Sequence, residues 1–221
     1  MMDRGDRVLG TMALVGAIVT AIWLVLLIYG VATQGPVETS EQALASVADL
    51  DLLHYLTYAN ATLITITATL LFAGLYVYCR PQEAVWSAMG LAFVPAYTVL
   101  NLFAYLSQIT IVPRLVDLQP GSSLLLAQMV QSWPGSAVNV LNNLGYAILG
   151  IPSLIFGLLL FQRDRRMRLP GGLLALSGAA SLAGMVGIVL QNELLSLGSL
   201  VSGGLFFLAL IPLSANLLGK R

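Results

Sequence analysis

Six runs of apolar residues, roughly 8–32, 55–79, 84–110, 137–161, 169–190 and 194–218, dominate the chain, and the segments between them are short and polar. Each run is long enough to cross a hydrocarbon core about 30 Å thick as a helix. Inside lipid every backbone N–H and C=O needs a partner within the protein, which helices supply and open strands do not. The pattern therefore predicts an all-α fold: a polytopic membrane bundle of six transmembrane helices, forming one transmembrane domain over residues 1–221.

Two connecting segments carry helical patterns of their own and predict short interfacial helices on the outer face. In the first, Thr39-Ser40-Glu41-Gln42 fits a capping box, and Ala43, Leu44, Val47 and Leu50 then recur at helical spacing. Asp49 or Asp51 follows in position to cap the second span. In the second, Gly121-Ser122-Ser123 opens a segment from Leu124 to Trp133, which Pro134-Gly135 closes. At roughly 18 Å it is too short to cross, so it lies in the interface or dips in and returns. Trp133 and Trp86 fit interfacial anchoring on opposite faces.

Composition agrees with life in lipid. The chain is 58% hydrophobic and 9% charged, against about 25% charged in a soluble domain. Its net charge is zero, so nothing draws it to nucleic acid. The placement of charge is more informative than its sum. Arg4, Arg7, Arg80, Arg163, Arg165, Arg166, Arg168, Lys220 and Arg221 fall at span ends that share one face, and only Arg114 falls on the other. By the positive-inside rule both termini are expected in the cytoplasm, with the chain in a plasma (inner) membrane. Arginine outnumbers lysine nine to one, which points to a GC-rich bacterial source. The charged segment Met1–Arg7 precedes an apolar run too long for a signal peptide, so an uncleaved first span is expected. Cys79 is the sole cysteine, which excludes an internal disulfide and a cysteine metal cluster. It is either a small buried residue or a juxtamembrane lipidation site.

Uncharged polar residues form helical stripes toward the outer half. Span two has His54, Tyr58, Thr62, Thr65 and Thr69; span three has Tyr97, Asn101, Tyr105 and Gln108; span four has Asn139, Asn142, Asn143 and Tyr146. Polar side chains facing lipid are costly, so these stripes should point into the bundle or a wet cavity. Tyr58, Thr62, Asn101, Tyr105, Gln108, Asn139, Asn142, Asn143 and Tyr146 are the candidate ligand-binding residues, with Asn101, Tyr105, Asn142 and Asn143 expected around one cavity. The competing reading is interhelical glue, at about 0.6 kcal/mol per hydrogen bond. Spans five and six instead carry small residues four apart, such as Ala180/Gly184 and Ser199/Gly203, which fits close packing inside the bundle or a homodimer contact.

Motifs that would declare an enzyme are missing: no H-E-x-x-H, G-x-S-x-G, phosphate-binding loop or dinucleotide fingerprint occurs. No cofactor and no metal site is expected. His54 has Asp49 and Asp51 nearby but without a recognised ligand spacing, and it reads better as an interfacial histidine at a helix start. Glu193 is read as a solvated turn residue, or alternatively as part of a pocket mouth with Asn139. No span holds a mid-membrane Asp, Glu, Lys or Arg, which argues against proton pumps and voltage sensors.

The stretch Asn101-Leu102-Phe103-Ala104-Tyr105-Leu106-Ser107-Gln108-Ile109-Thr110-Ile111-Val112-Pro113-Arg114-Leu115 resembles a segment of uncharacterised bacterial six-span integral membrane proteins. The order of a first span, a short acidic outer helix and five further spans is similar too. The resemblance implies that topology and no catalytic residue. Three functions fit these features. The first is an outward-facing polar pocket for a small neutral molecule or lipid. The second is a small-solute transporter or channel, which needs a polar path through inner halves that offer only Thr69, Tyr76 and Ser153. The third is an accessory subunit packing against a membrane-protein partner through span five.

Overall fold

The structure is a computed structural model that describes residues 4–118 and 121–219. Lys220 and Arg221, two members of the basic face, lie outside the described residues. Among the described residues all regular structure is helical, in ten helices: α1 Arg4–Gln34, α2 Ser40–Ser46, α3 Leu52–Cys79, α4 Ala84–Thr110, α5 Val112–Asp117, α6 Ser123–Met129, α7 Ala137–Arg163, α8 Arg168–Val189, α9 Glu193–Ser196 and α10 Gly198–Leu218. Six of them (α1, α3, α4, α7, α8 and a last segment spanning α9 and α10) are long and apolar enough to cross a membrane. The protein is a multi-pass membrane protein built as an all-α bundle.

The long helices alternate in direction and pack in chain order as a ring. α1 lies against α3, α3 against α4, α4 against α7, α7 against α8, α8 against α10, and α10 returns to α1. The arginine-rich connections meet at one end. There Arg163 donates to the Tyr78 carbonyl (2.7 Å) with its guanidinium 3.8 Å from the Tyr78 ring centre, and Asn216 donates to the Arg166 carbonyl (2.7 Å). Leu9, Leu71, Phe72, Leu75, Phe156, Leu160, Leu213 and Leu217 fill this half of the ring. Cys79 is buried among them, in the packing role.

The opposite end carries the short helices. The capping box of α2 forms as its sequence predicts, with Thr39 accepting from the Gln42 N–H and Gln42 Oε1 accepting from the Thr39 N–H. Asp51, rather than Asp49, caps α3 by accepting from the His54 N–H. α2, α5 and α6 share a small apolar cluster of Ala43, Val47, Val112, Leu115, Leu126 and Val130. α6 stops at Met129, short of Trp133, because Val130 turns to an extended conformation. It packs beside α2, α5 and α7. α5 and α9 are additional. Pro113 at the start of α5 has no N–H to donate back into α4, which separates α5 from it.

α8 is the most tightly held helix. A Cβ added at Gly157 or Gly178 would meet backbone atoms across the α7–α8 contact, and one at Gly184 would meet Ser199 backbone across the α8–α10 contact. The small residues of span five thus serve contacts inside the bundle. Larger apolar side chains cover the outside, among them Ile18, Val25 and Ile28 of α1, Leu176 of α8 and Leu200 of α10.

Candidate functional site

The ring does not close on itself in the half away from the arginines. It surrounds a cavity of about 840 Å³, within the size range of small-molecule sites, roughly 300–1,000 Å³. Along α7 the lining runs from Asn139 to Ser153, about 21 Å at 1.5 Å per residue. Phe206 forms part of the floor, stacked on Phe72 (6.2 Å between centroids), which also meets Phe156 (5.9 Å). Below this aromatic layer lies the apolar core. The cavity therefore ends blindly. Its rim includes the exposed Ser132 and Pro134.

Two walls of different chemistry face each other. Tyr58 of α3, Tyr97 and Tyr105 of α4, Asn139, Asn142, Asn143, Tyr146 and Ser153 of α7, and Ser177 and Ser181 of α8 make the polar wall. Trp23, Leu24 and Leu27 of α1 face them with Leu197, Leu200 and Phe206. No Asp, Glu, Lys or Arg is among the described lining residues.

Hydrogen bonds hold most of the polar wall in place. Tyr105 and Tyr146 share one bond between their hydroxyls (2.7 Å), and Ser181 donates to the Tyr146 carbonyl (2.8 Å). One phenol donates to the other, and the Asn142 side chain stands beside the Tyr105 hydroxyl within hydrogen-bond reach. Asn143 donates to both the carbonyl and Oδ1 of Asn139 (3.0 and 2.9 Å). Ser177 donates to the Ser202 carbonyl (3.0 Å). Asn142 differs. It is 5% exposed, and its Oδ1 is buried with no hydrogen-bond partner. An acceptor in that state costs about 1–3 kcal/mol until a donor reaches it.

Of the residues the sequence singles out, Tyr58, Tyr105, Asn139, Asn142, Asn143 and Tyr146 come together on the cavity. Asn101, Gln108 and Thr62 do not line it. Asn101 is wholly buried in the α4–α7 contact, where a Cβ on Gly145 would strike its amide, and it donates to the Tyr97 carbonyl of its own helix (3.3 Å). Thr62 donates to the Tyr58 carbonyl (2.8 Å). Gln108, also wholly buried, is a clamp: its Nε2 donates to the Met129 carbonyl (2.8 Å), and its Oε1 accepts from the Gln131 N–H (3.1 Å). The Gln131 carbonyl in turn accepts from Asn139 (2.8 Å), and its side chain accepts from the Tyr58 hydroxyl (3.4 Å). Gln131, which lines the cavity, thus ties α3, α4 and α7 together at its roof.

His54 lines the cavity as well. Its Nε2 lies 3.0 Å from the Gln108 carbonyl, and a carbonyl only accepts, so Nε2 carries the proton. Asp51 is occupied by the α3 cap, and among the described residues no three His, Cys, Asp or Glu side chains converge as metal ligands. Glu193 is exposed at the start of α9 and off the cavity.

The sequence reading missed Gln131, the apolar wall and the serines of α8. Ser177 and Ser181 stand four apart on one helical face, the same signal that marked the other stripes. Gln131 sits in an irregular segment and has no periodicity to reveal it. No protein-family model, no curated protein and no solved structure matches the chain. What can be said of function therefore rests on the cavity.

Proposed function

We propose that the chain is a bacterial plasma-membrane protein whose outward-facing cavity binds a small neutral molecule or lipid. The observation that carries this reading is the unpartnered Asn142 Oδ1 on the wall of an uncharged, blind cavity. Beside it stand the bonded hydroxyls of Tyr105 and Tyr146, and Ser199 Oγ also lines the cavity without a partner, so the lining offers donors as well as acceptors. A ligand bearing a hydroxyl, amide or carbonyl satisfies both, whereas an anion or metal ion finds no compensating charge. A channel or transporter is favoured less, because the aromatic layer of Phe72, Phe156 and Phe206 closes the way through. An accessory role through span five is favoured less too, because α8 uses its small residues against α7 and α10.

Asn142→Leu is the direct test. The substitution removes the acceptor and suits the apolar surroundings, so the fold should survive. Native mass spectrometry of the protein taken from its own membrane should find a bound small molecule on the wild type, with occupancy about tenfold lower on the variant. Equal occupancy on both proteins would sink the reading.

The same reading places the arginine-rich end in the cytoplasm. In a Cys79→Ser background, Glu38→Cys and Glu193→Cys should react with a membrane-impermeant maleimide on intact cells. Gln82→Cys and Arg165→Cys should react only after lysis. The reverse pattern would turn the cavity toward the cytoplasm.

A further inference from the structure

The cavity has a side opening, and it faces the bilayer. In the arginine-rich half, α1 and α10 are in contact: a Cβ on Gly16 would lie 3.2 Å from Leu210, and one on Gly10 would lie 3.0 Å from Leu217. Beyond Thr20 the contact gives way to cavity. Trp23, Leu24, Leu27, Gly30 and Val31 of α1 line it, as do Leu200, Gly203 and Gly204 of α10. A Cβ placed on Gly30, Gly203 or Gly204 would meet no atom within 4 Å. Gly203 lines the cavity and is exposed. Four neighbouring pairs keep contacts across this half: His54 bonds the Gln108 carbonyl between α3 and α4, Tyr105 bonds Tyr146 between α4 and α7, Ser181 bonds the Tyr146 carbonyl between α8 and α7, and Ser177 bonds Ser202 between α8 and α10. Open space therefore lies where α1 and α10 face each other, at Gly30, Gly203 and Gly204.

We propose that the ligand is a neutral lipid whose head carries hydroxyl or carbonyl groups, and that it slides in from the bilayer between α1 and α10. The proposal rests on the neutral-ligand reading above and gives that ligand a class and a route. Three observations carry it. The slot opens at a depth where both helices carry exposed apolar residues off the cavity lining, at Val25, Ile28 and Val201, so what stands before it is acyl chain and not water. The wall beside the slot is apolar and the wall opposite is polar, so a molecule entering tail-last would set its head against Asn142 and the Tyr105–Tyr146 pair and leave its chain along Trp23, Leu27 and Leu200. The buried Asn142 Oδ1, which has no hydrogen-bond partner, and the neighbouring Tyr105 hydroxyl are the groups the head would meet.

Trp23 reports on occupancy, because bromine in contact with an indole quenches its fluorescence. The full chain with Trp86→Phe and Trp133→Phe keeps Trp23 as its single tryptophan. It is reconstituted in phosphatidylcholine vesicles and titrated with three probes: a diacylglycerol with a dibrominated acyl chain, a phosphatidic acid with the same chains, and water-soluble tribromoethanol. Saturable quenching at low mole fraction is expected from the diacylglycerol, and only collisional, non-saturating quenching from the phosphatidic acid. Gly203→Phe and Gly204→Phe fill the slot where a side chain has open space, and each should weaken the diacylglycerol about tenfold. Leu200→Trp, read by displacement of a brominated probe from native mass spectra, is a second obstruction with the same expected outcome. If tribromoethanol saturates but the diacylglycerol does not, or if the slot variants leave the diacylglycerol untouched, lateral access is overturned and the neutral-ligand reading survives. If neither saturates, both fall. Phosphatidic acid that saturates as tightly as diacylglycerol overturns the neutral head.

Discussion

Leucine at Gly157 or Gly178 is expected to abolish the folded bundle. A Cβ on Gly157 would stand 2.8 Å from both the Ala175 Cα and the Gly171 carbonyl oxygen, and one on Gly178 would stand 2.6 Å from the Leu154 N. These are backbone atoms of the facing helix, so no rotamer change can clear them. The whole of α7 must move from α8, and α8 is held on its other side by α10 at Gly184 and Gly198. Overpacking that a side chain can absorb costs about 1–3 kcal/mol. Displacing two helices in the middle of a ring exceeds that, against a total stability of about 5–15 kcal/mol for a typical domain. Gly203→Leu is the control, since a Cβ there meets nothing within 4 Å. In detergent, Gly157→Leu and Gly178→Leu should elute as aggregate, while Gly203→Leu melts with the wild type. Monomeric, wild-type-like melting of Gly178→Leu would mean that the α7–α8 contact is not as close as described.

The spans were legible because lipid makes length and apolarity nearly sufficient as a signal. Short polar caps also read well: Thr39 and Gln42 form their box from four residues of local sequence. Elements held by distant partners read less well. α6 ends early because Gln131 turns its N–H to Gln108, more than twenty residues back along the chain, and nothing local records that.

Six of the nine stripe residues named as candidates line one cavity wall. They could not say which stripe members reach it. Asn101 lies between Tyr97 and Tyr105 on a single helical stripe, so the phase of the helix does not exclude it. Side-chain length and the close approach of α7 at Gly145 do. The tyrosines above and below reach past that contact into the cavity, while the shorter asparagine is covered by it. The apolar wall was invisible for a different reason. A tryptophan or leucine looks the same in sequence whether it faces acyl chains outside the bundle or a cavity within. Polar residues found one wall because lipid forbids them elsewhere, whereas apolar residues are permitted everywhere.

Gln108→Leu is expected to loosen the roof of the cavity while leaving the spans assembled. The leucine fits the buried volume but releases the Met129 carbonyl and the Gln131 N–H, both of which Gln108 now satisfies. At about 1–3 kcal/mol for each buried group left without a partner, the variant should lose roughly 2–6 kcal/mol if the segment stays in place. The segment has a cheaper course, which is to move toward water, since Ser132 and Pro134 are already exposed. That would break the Tyr58 and Asn139 bonds to Gln131 as well, because all three meet on one residue. The His54 contact should persist, since its partner is the Gln108 backbone carbonyl and not the amide that is lost. Hydrogen exchange should therefore accelerate sharply across residues 123–136 and little in α7 beyond Tyr146. A melting temperature and an exchange profile both unchanged in Gln108→Leu would show that α6 and its following turn are held by the apolar cluster of α2 and α5 alone.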